Sequence, residues 1–487
     1  MKKGSITIFL ALVLSLMVSL VSASIESCRM AAARAQILSS VDIGLYSLFG
    51  QYDRTLLEEL DLFALDASGK DGSLNLAAVY DGFEQYMKPI LNQNSQRLSR
   101  EQGGISGYCV LTDNTGELFY RQVVQYMKDT LGIQGLQLLL EKMQERKDKI
   151  SQAEETGKEA ESQKALDSYE AEMDRAAQES REEEEKKKQE ESGTEPKQEI
   201  VIQKAENPIP IIKRIREMGI LSLVIPADKG ISDKALSKDM PVVSKRKLHQ
   251  GMPMDGCPQE SDAYTSELLF QQYLMTHLGN YTDTGEGGLS YETEYVLAGK
   301  ESDVENLKSI AARLLLIREG VNFASLLADS GKRAQARALA VAIASGFLIP
   351  PAAVIIEGAL LLCWSFAESI LDVRELFDGG KVSLIKKPGD WQITLSNLPR
   401  LLEGLDSMRR GSEDGLSYED YLQVLLLTRS RKEKILRTMD MVEKQAQKLK
   451  NKPSFRLDSC VAAMEVSIDV RANQRKTFQV TRQYLYD

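Results

Sequence analysis

The chain has 487 residues, a net charge of −10 and a pI near 5.2, with acidic and basic residues interspersed. That length allows about two to four compact units, and the acidic balance excludes a dedicated nucleic-acid binder, which needs a basic face for phosphate. Hydrophobic residues make up 43%, enough for a real core, while two histidines, His249 and His277, leave few ways to build a zinc site or a nucleophile–base pair.

From Ile6 to Ile25 the chain carries no charge. About 20 residues suffice for one helix to cross the roughly 30 Å hydrocarbon layer. Lys2 and Lys3 precede the segment and favour a cytoplasmic N-terminus, a bias that Arg29 and Arg34 on the far side weaken without cancelling. Two fates are open. Val21-Ser22-Ala23 resembles a signal-peptidase site, with cleavage between Ala23 and Ser24 releasing the rest. Against release, the continuation IESCRMAAARAQILSSVDIGLYSLFGQYDRTLLEELDLFAL contains no proline and no glycine before Gly44. Arg29, Ala33, Gln36 and Ser40 recur there at helical spacing, with Ile25, Met30, Ile37, Leu38 and Val41 as apolar positions. A helix running unbroken out of lipid favours retention, with an anchor over 1–25 and a helical stalk over 26–66.

A Gly/Ser/Asp-rich break, DASGKDGSL, opens a small α+β unit over 67–137. LAAVYDGFEQYMKPIL predicts an amphipathic helix with Leu76, Val79, Tyr80, Phe83 and Met87 on one side. ISGYCVLTDNTGELFYRQVVQYMKDTLG predicts a short strand, a turn, and a helix from near Thr115 capped by Asp113 or Asn114. Residues 138–200 then lose nearly all large apolar side chains. Glu182, Glu183 and Glu184 precede Lys186, Lys187 and Lys188 by four residues, supporting a helix surface that has little to bury. A solvated helical or disordered spacer is expected, with a coiled coil as the alternative that a missing a/d seam disfavours.

Residues 201–487 predict an α-rich C-terminal domain. NPIPIIKRIREMGILSLVIP reads as a helix opened by Pro208 and Pro210 and ended by Gly219, then a buried strand. Pro241–Pro258 is a loop. ESDAYTSELLFQQYLMTHLG and ESDVENLKSIAARLLLIREGVNFASLLAD are helices, the second capped by Ser302 with Glu305. Ala338 to Ile356 is again uncharged, but Pro350-Pro351 breaks it, and Glu357 and Glu368 interrupt its continuation. Two helices of about 12 residues each, a buried core hairpin, are preferred to a second membrane element. DGGKVSLIKKPGDWQITLSNLP suggests a strand and turn, and EDYLQVLLLTRSRKEKILRTMDMVEKQAQKL one amphipathic helix. CVAAMEVSIDVRANQRKTFQVTRQYLY alternates through Val466, Ile468 and Val470, turns at Ala472-Asn473, and predicts a β-hairpin. The expected fold is an α-rich α+β chain: a long N-terminal membrane-to-stalk helix, a charged helical spacer, and a mostly helical C-terminal domain with a few strands and a C-terminal β-hairpin.

Five cysteines stand singly. Cys28 and Cys363 read as packed thiols; Cys109, Cys257 and Cys460 leave room for one bridge, although the scatter predicts no disulfide framework. His249 and Cys257 share the loop KLHQGMPMDGCP, which lacks a second ligand pair for a metal. GxxxxGK[ST], GxGxxG, GxSxG and HExxH are all missing. The 71 acidic residues offer no distinguishable glycosidase pair, and Trp364 and Trp391 read as core anchors. No catalytic residue, cofactor, metal or small-molecule ligand is predicted.

Some residues carry a resemblance. A basic start followed by Gly4-Ser5 and an apolar helix resembles a prepilin-type leader, in which cleavage ahead of the hydrophobic segment leaves it attached. Glu26-x-x-Arg29, Arg34-x-Gln36 and Asp42-Ile43-Gly44-Leu45 are similar to the opening of TadE/TadG-like proteins of the tight-adherence (Flp-type) pilus apparatus. Phe9 stands where filament-forming pilins carry glutamate. YDRTLLEELDLFALD, TGELFYRQVVQYMK, NPIPIIKRIREMGILSLVIP and FAESILDVRELFDGGKVSLIKKPGDWQ resemble large membrane-anchored proteins of unknown function from Gram-positive bacteria. The resemblance implies a single-pass cell-membrane protein with a cytoplasmic N-terminus, lipid contact through residues 6–25, and an extracytoplasmic body whose partners belong to pilus or secretion machinery. It implies no activity. The expectation is an accessory or minor-pilin-like component acting by protein–protein interaction. The alternatives are a pilus-independent anchored scaffold and, third, an unrecognised extracellular hydrolase.

Overall fold

The structure is a computed structural model that describes residues 3–92, 97–159, 206–237, 239–256, 264–346, 352–405, 411, 415–473 and 476–486, with isolated positions at 168, 169, 171, 174, 175 and 178. The fold is α-rich α+β, with a long N-terminal helix and few strands, all antiparallel. The chain forms two compact units, each assembled from non-consecutive segments. The first comprises Met1–Gly132, Ser237–Tyr273 and Arg431–Asp487; the second comprises Ile133–Leu236 and Leu274–Ser430.

In the first unit, helix α1 (Lys3–Phe49) runs 47 residues without interruption, as a stretch free of proline should. Its character changes along its length. Ile6 to Val21 are exposed on every side, whereas Ala33, Ile37, Val41, Leu45 and Leu48 form a buried stripe at spacings of three and four. The predicted stalk is therefore not a solvated rod. From Ala33 onward it is part of a core, and the helix ends at Phe49 rather than running to 66; a short helix α2 (Arg54–Leu60) follows, capped by Asp53. Helix α3 (Leu76–Asn92) lies against α1 with Val79, Phe83, Met87 and Leu91 buried. Gly44 permits this approach, because a Cβ there would fall 2.9 Å from Phe83 Cε2.

The apolar stripe of α1 shares its core with a sheet. Strand β3 (Cys460–Ala472) is central, paired with β2 (Leu98–Val110), with β4 (Lys476–Leu485) and with the two-residue β1 (Leu65–Asp66). Val466, Ile468 and Val470 are buried as their alternation requires. The predicted β-hairpin is β3–β4, with Ala472 opposite Lys476. Strand β2 is longer than expected, and three irregularities of register along it increase its twist.

Helix α4 (Asp113–Glu159) opens with a left-handed turn at Asn114, Thr115 and Gly116 and breaks again at Gly132, whose φ is 61° and ψ −176°. Asp113 does not cap a helix. Its carboxylate accepts the Val110 and Gly251 amides at 2.8 and 2.9 Å, closing the strand end onto the 241–256 segment. Apart from a 3-10 turn at Val243–Lys245 and a bridge from Met252 to Tyr108, that segment is the expected loop, and it is firmly held: Arg246 donates to both oxygens of Glu443 at 2.6 Å and to Asp458 at 2.7 Å.

The second unit is helical. Asp303–Ala328, capped by Ser302 as predicted, packs with Ser330–Gly346 and Ala353–Phe377. The last is apolar and long enough to span a bilayer, yet 83% of its most apolar window is buried, which makes it a core helix. The two helices flanking the prolines are 17 and 25 residues long, not about 12 each. Glu368 lies inside the second one, its carboxylate satisfied by Lys386 and the Gln392 and Ile393 amides. ILSLVIP is also corrected: Ile220–Val224 is helical, not a strand, with Leu223 and Val224 buried. DGGKVSLIKKPGDWQITLSNLP holds a single bridge, Val382 to Leu416, in place of a strand. The expected C-terminal amphipathic helix is two, Tyr418–Leu427 in this unit and Arg431–Leu449 in the first. The charged run is helical to Glu159, and it is not simply solvated, since Met143 is buried and Arg146 pairs with Asp420 at 2.6 Å. Most of its remainder lies outside the described residues.

Candidate functional site

The residues singled out by sequence fall along one helix and do not converge. Gly4, Ser5, Ala23 and Ser24 lie within α1, and Ser24 Oγ donates back to the Leu20 carbonyl at 2.9 Å. Both candidate cleavage sites are thus embedded in continuous helix. Glu26 is half-buried, and Arg29 and Arg34 are exposed. Gln36 Nε2 donates to the Ile90 carbonyl at 3.2 Å, tying α1 to the end of α3. Asp42 meets Arg482 of β4 at 3.1 Å. From Glu26 to Asp42 the helix rises about 24 Å, too far for these side chains to form one site. The last two anchor α1 to the body; the first three flank the apolar segment.

The cysteines differ from expectation. Cys109 is disulfide-bonded. Cys363 and Cys460 are buried free thiols, and burial pushes the Cys363 thiol up to about 12. Cys28 is exposed rather than packed, because it projects from α1 before the helix enters the core. His249 lies in the pinned segment, where its amide donates to Asp458 at 2.9 Å; Cys257 lies outside the described residues. Among the described residues no group of three or more His, Cys, Asp or Glu side chains is placed to hold a metal ion.

Sequence reasoning missed the buried charges of the second unit. Arg318, fully buried, donates through Nε and Nη2 to Asp372 at 3.0 and 2.8 Å and through Nη1 to the Leu384 carbonyl at 3.1 Å. Lys386 bridges Asp372, at 2.6 Å, and Glu368. Glu368 also accepts the Ile393 amide at 2.8 Å. Burial pushes the Asp372 carboxyl up, but Arg318 and Lys386 outweigh it and hold it below its ordinary value. Trp364, fully buried on the same helix as Glu368, donates Nε1–H to the Ile393 carbonyl at 2.7 Å, as a core anchor does. A charge inside an apolar helical run, as in LLLIREGV or CWSFAESI, was the available signal.

A second buried group lies around Glu294. Its Oε1 accepts the Tyr281 amide at 2.8 Å and the Tyr418 hydroxyl at 2.7 Å, while Oε2 meets no donor among the described residues. Burial pushes this carboxyl up to about 7, although the two hydrogen bonds favour its charged form. The rings of Tyr281, Phe377 and Tyr418 pack against one another with centroids 5.0 to 6.5 Å apart. The Arg318 network is closed, each charge facing internal partners, whereas Glu294 keeps one oxygen without a donor among the described residues; the hydrogen bonds of both groups fix helices and loops to one another.

A family model described as a family of unknown function (DUF5702) matches residues 197–472, more than half of the chain. The chain belongs to that family. No curated protein and no solved structure matches it. The DUF5702 span contains Glu294, Arg318, Glu368, Asp372 and Lys386 and ends with β3; helix α1 lies outside it.

Proposed function

We propose that the chain is a membrane-anchored, extracytoplasmic accessory or minor-pilin-like component of a tight-adherence pilus or secretion system, acting through protein–protein contacts. The observation that carries the reading is the two-part character of α1. Its first part offers lipid an uncharged surface about 20 residues long, and the same helix continues without a joint into the core of the first unit. A signal sequence made to be discarded has no need of that continuity. Cutting after Ala23 would leave a new helix end only some ten residues before the buried Ala33.

The Cys109 disulfide supports the extracytoplasmic side, because such bonds persist in oxidising compartments. The two lysines before the apolar segment favour the same topology. Phe9, in place of the glutamate of filament-forming pilins, favours the second reading, an anchored scaffold that works without pili.

N-terminal sequencing of the mature protein separates the anchors: a start at Ser5 indicates pilin-like processing, and a start at Met1 a plain anchor. A start at Ser24, with the product in the culture fluid, ends the anchored reading. Protease added to wall-free intact cells should digest the body; protection reverses the orientation. Loss of surface pili on deletion supports the pilus link, and unchanged pili transfer the reading to the scaffold.

A further inference from the structure

We propose that the end of the first unit nearest the bilayer is a basic collar that rests on anionic lipid headgroups, given the retained anchor proposed above. Helix α1 fixes heights above the membrane. With Ile25 at the edge of the hydrocarbon layer, Arg29 falls about 6 Å above it, within the headgroup layer, and Arg34 about 14 Å above it.

Strand β4 runs beside α1 in the same direction. Arg482 meets Asp42 at 3.1 Å, and the Tyr484 ring packs on Tyr46 and Phe49 with centroids 5.2 and 4.6 Å apart. Going back along β4 from Arg482 to Lys476 covers roughly 20 Å, the rise of about 13 helical residues. The β3–β4 turn therefore lies level with the Arg29–Arg34 stretch. Strand β2 begins at this end, since Leu98 pairs with Ala472 and Arg100 with Val470. Helix α3 finishes here too, as the Gln36–Ile90 hydrogen bond fixes.

Residues 26–36, 84–92, 97–101, 470–473 and 476–478 make up this end. They hold seven basic residues, among them Arg29, Arg34, Arg97, Arg471 and Lys476, against three acidic ones, in a chain whose net charge is −10. All seven basic residues are exposed, although the Arg100 side chain is partly covered. Glu84 pairs with Lys88 and Arg100, and Glu101 with Arg471, which leaves Arg29, Arg34, Arg97 and Lys476 outside these pairs against Glu26. Near an anionic surface each Lys or Arg is worth about fivefold in apparent affinity, an effect confined to about one Debye length, so this placement counts. The collar also accounts for Arg29 and Arg34 standing on the flank where the topology rule disfavours them.

The test uses the full chain reconstituted into vesicles of phosphatidylcholine alone or enriched in phosphatidylglycerol. Cys28→Ser with Thr477→Cys places a fluorophore on the collar, and a headgroup-attached quencher reads its approach. Quenching should rise at least about twofold with phosphatidylglycerol, fall in high salt, and lose its lipid dependence in Arg97→Gln/Arg471→Gln/Lys476→Gln with an unchanged melting temperature. Equal quenching in both lipids, in a chain that floats with the vesicles, overturns the collar and assigns the charge to an acidic protein partner. A chain that floats with neither removes the anchor and the collar together.

Discussion

Asp42 of α1 and Arg482 of β4 face each other at 3.1 Å, joining the N-terminal helix to strand β4 from opposite ends of the sequence. Their side chains are 40–43% exposed, so the pair is worth at most about 1 kcal/mol. The apolar stripe holds the helix. Asp42→Asn should therefore shift the urea midpoint little, whereas Ile37→Ala, at a fully buried position, should cost about 2–5 kcal/mol. Equal losses in urea titrations of the two variants would contradict this division.

Glu294 sets a pH dependence. Its folded-state value is raised from 4.5 to about 7, so between those values the folded protein keeps a proton that the unfolded chain has released. Stability should fall as pH rises through that window, by up to about 3 kcal/mol, and stay low above it. Glu294→Gln keeps an acceptor for Tyr281 and Tyr418 and cannot ionise. It should match wild type near pH 4 and exceed it at pH 8; parallel stability–pH curves would show that Glu294 ionises normally.

Asp372 sits between Arg318 and Lys386 with almost no exposure. Asp372→Asn leaves two buried cations short of a partner and should destabilise the second unit by about 3–5 kcal/mol. A lowered urea midpoint with the first unit's transition unchanged is the expected outcome. A near-neutral effect would mean that Glu368 alone compensates both cations.

Cys28 is exposed, while Cys363 and Cys460 are buried. In the folded protein a maleimide should modify Cys28 promptly, and Cys363 and Cys460 only after denaturation. With a membrane-impermeant reagent on intact wall-free cells, Cys28 should label from outside. Labelling confined to lysed cells would place the body in the cytoplasm.

Local sequence sufficed where one periodicity prevailed. The alternation of Val466, Ile468 and Val470 announced β3, and Ser302 with Glu305 announced the start of Asp303–Ala328. It misled where an apolar run was short. In ILSLVIP the five residues Ile220–Val224 are helical and Ile225 is extended, and so few apolar residues do not separate the two periods. Glu368 reads only as a charge interrupting the apolar run, because Lys386 and the Ile393 amide, which stabilise it inside the core, come from a later segment.

What the sequence determined by itself is the pair of long-range consequences of composition: an N-terminal stretch apolar and long enough to cross a membrane, and a chain rich in helix ending in a β-hairpin. Only the tertiary structure decided that α1 enters a core at Ala33, that Ala353–Phe377 is interior, and that the buried charges are neutralised. Hydropathy measures how strongly a helix avoids water. Whether lipid or protein provides the refuge depends on partners distant in sequence, and those only folding brings together.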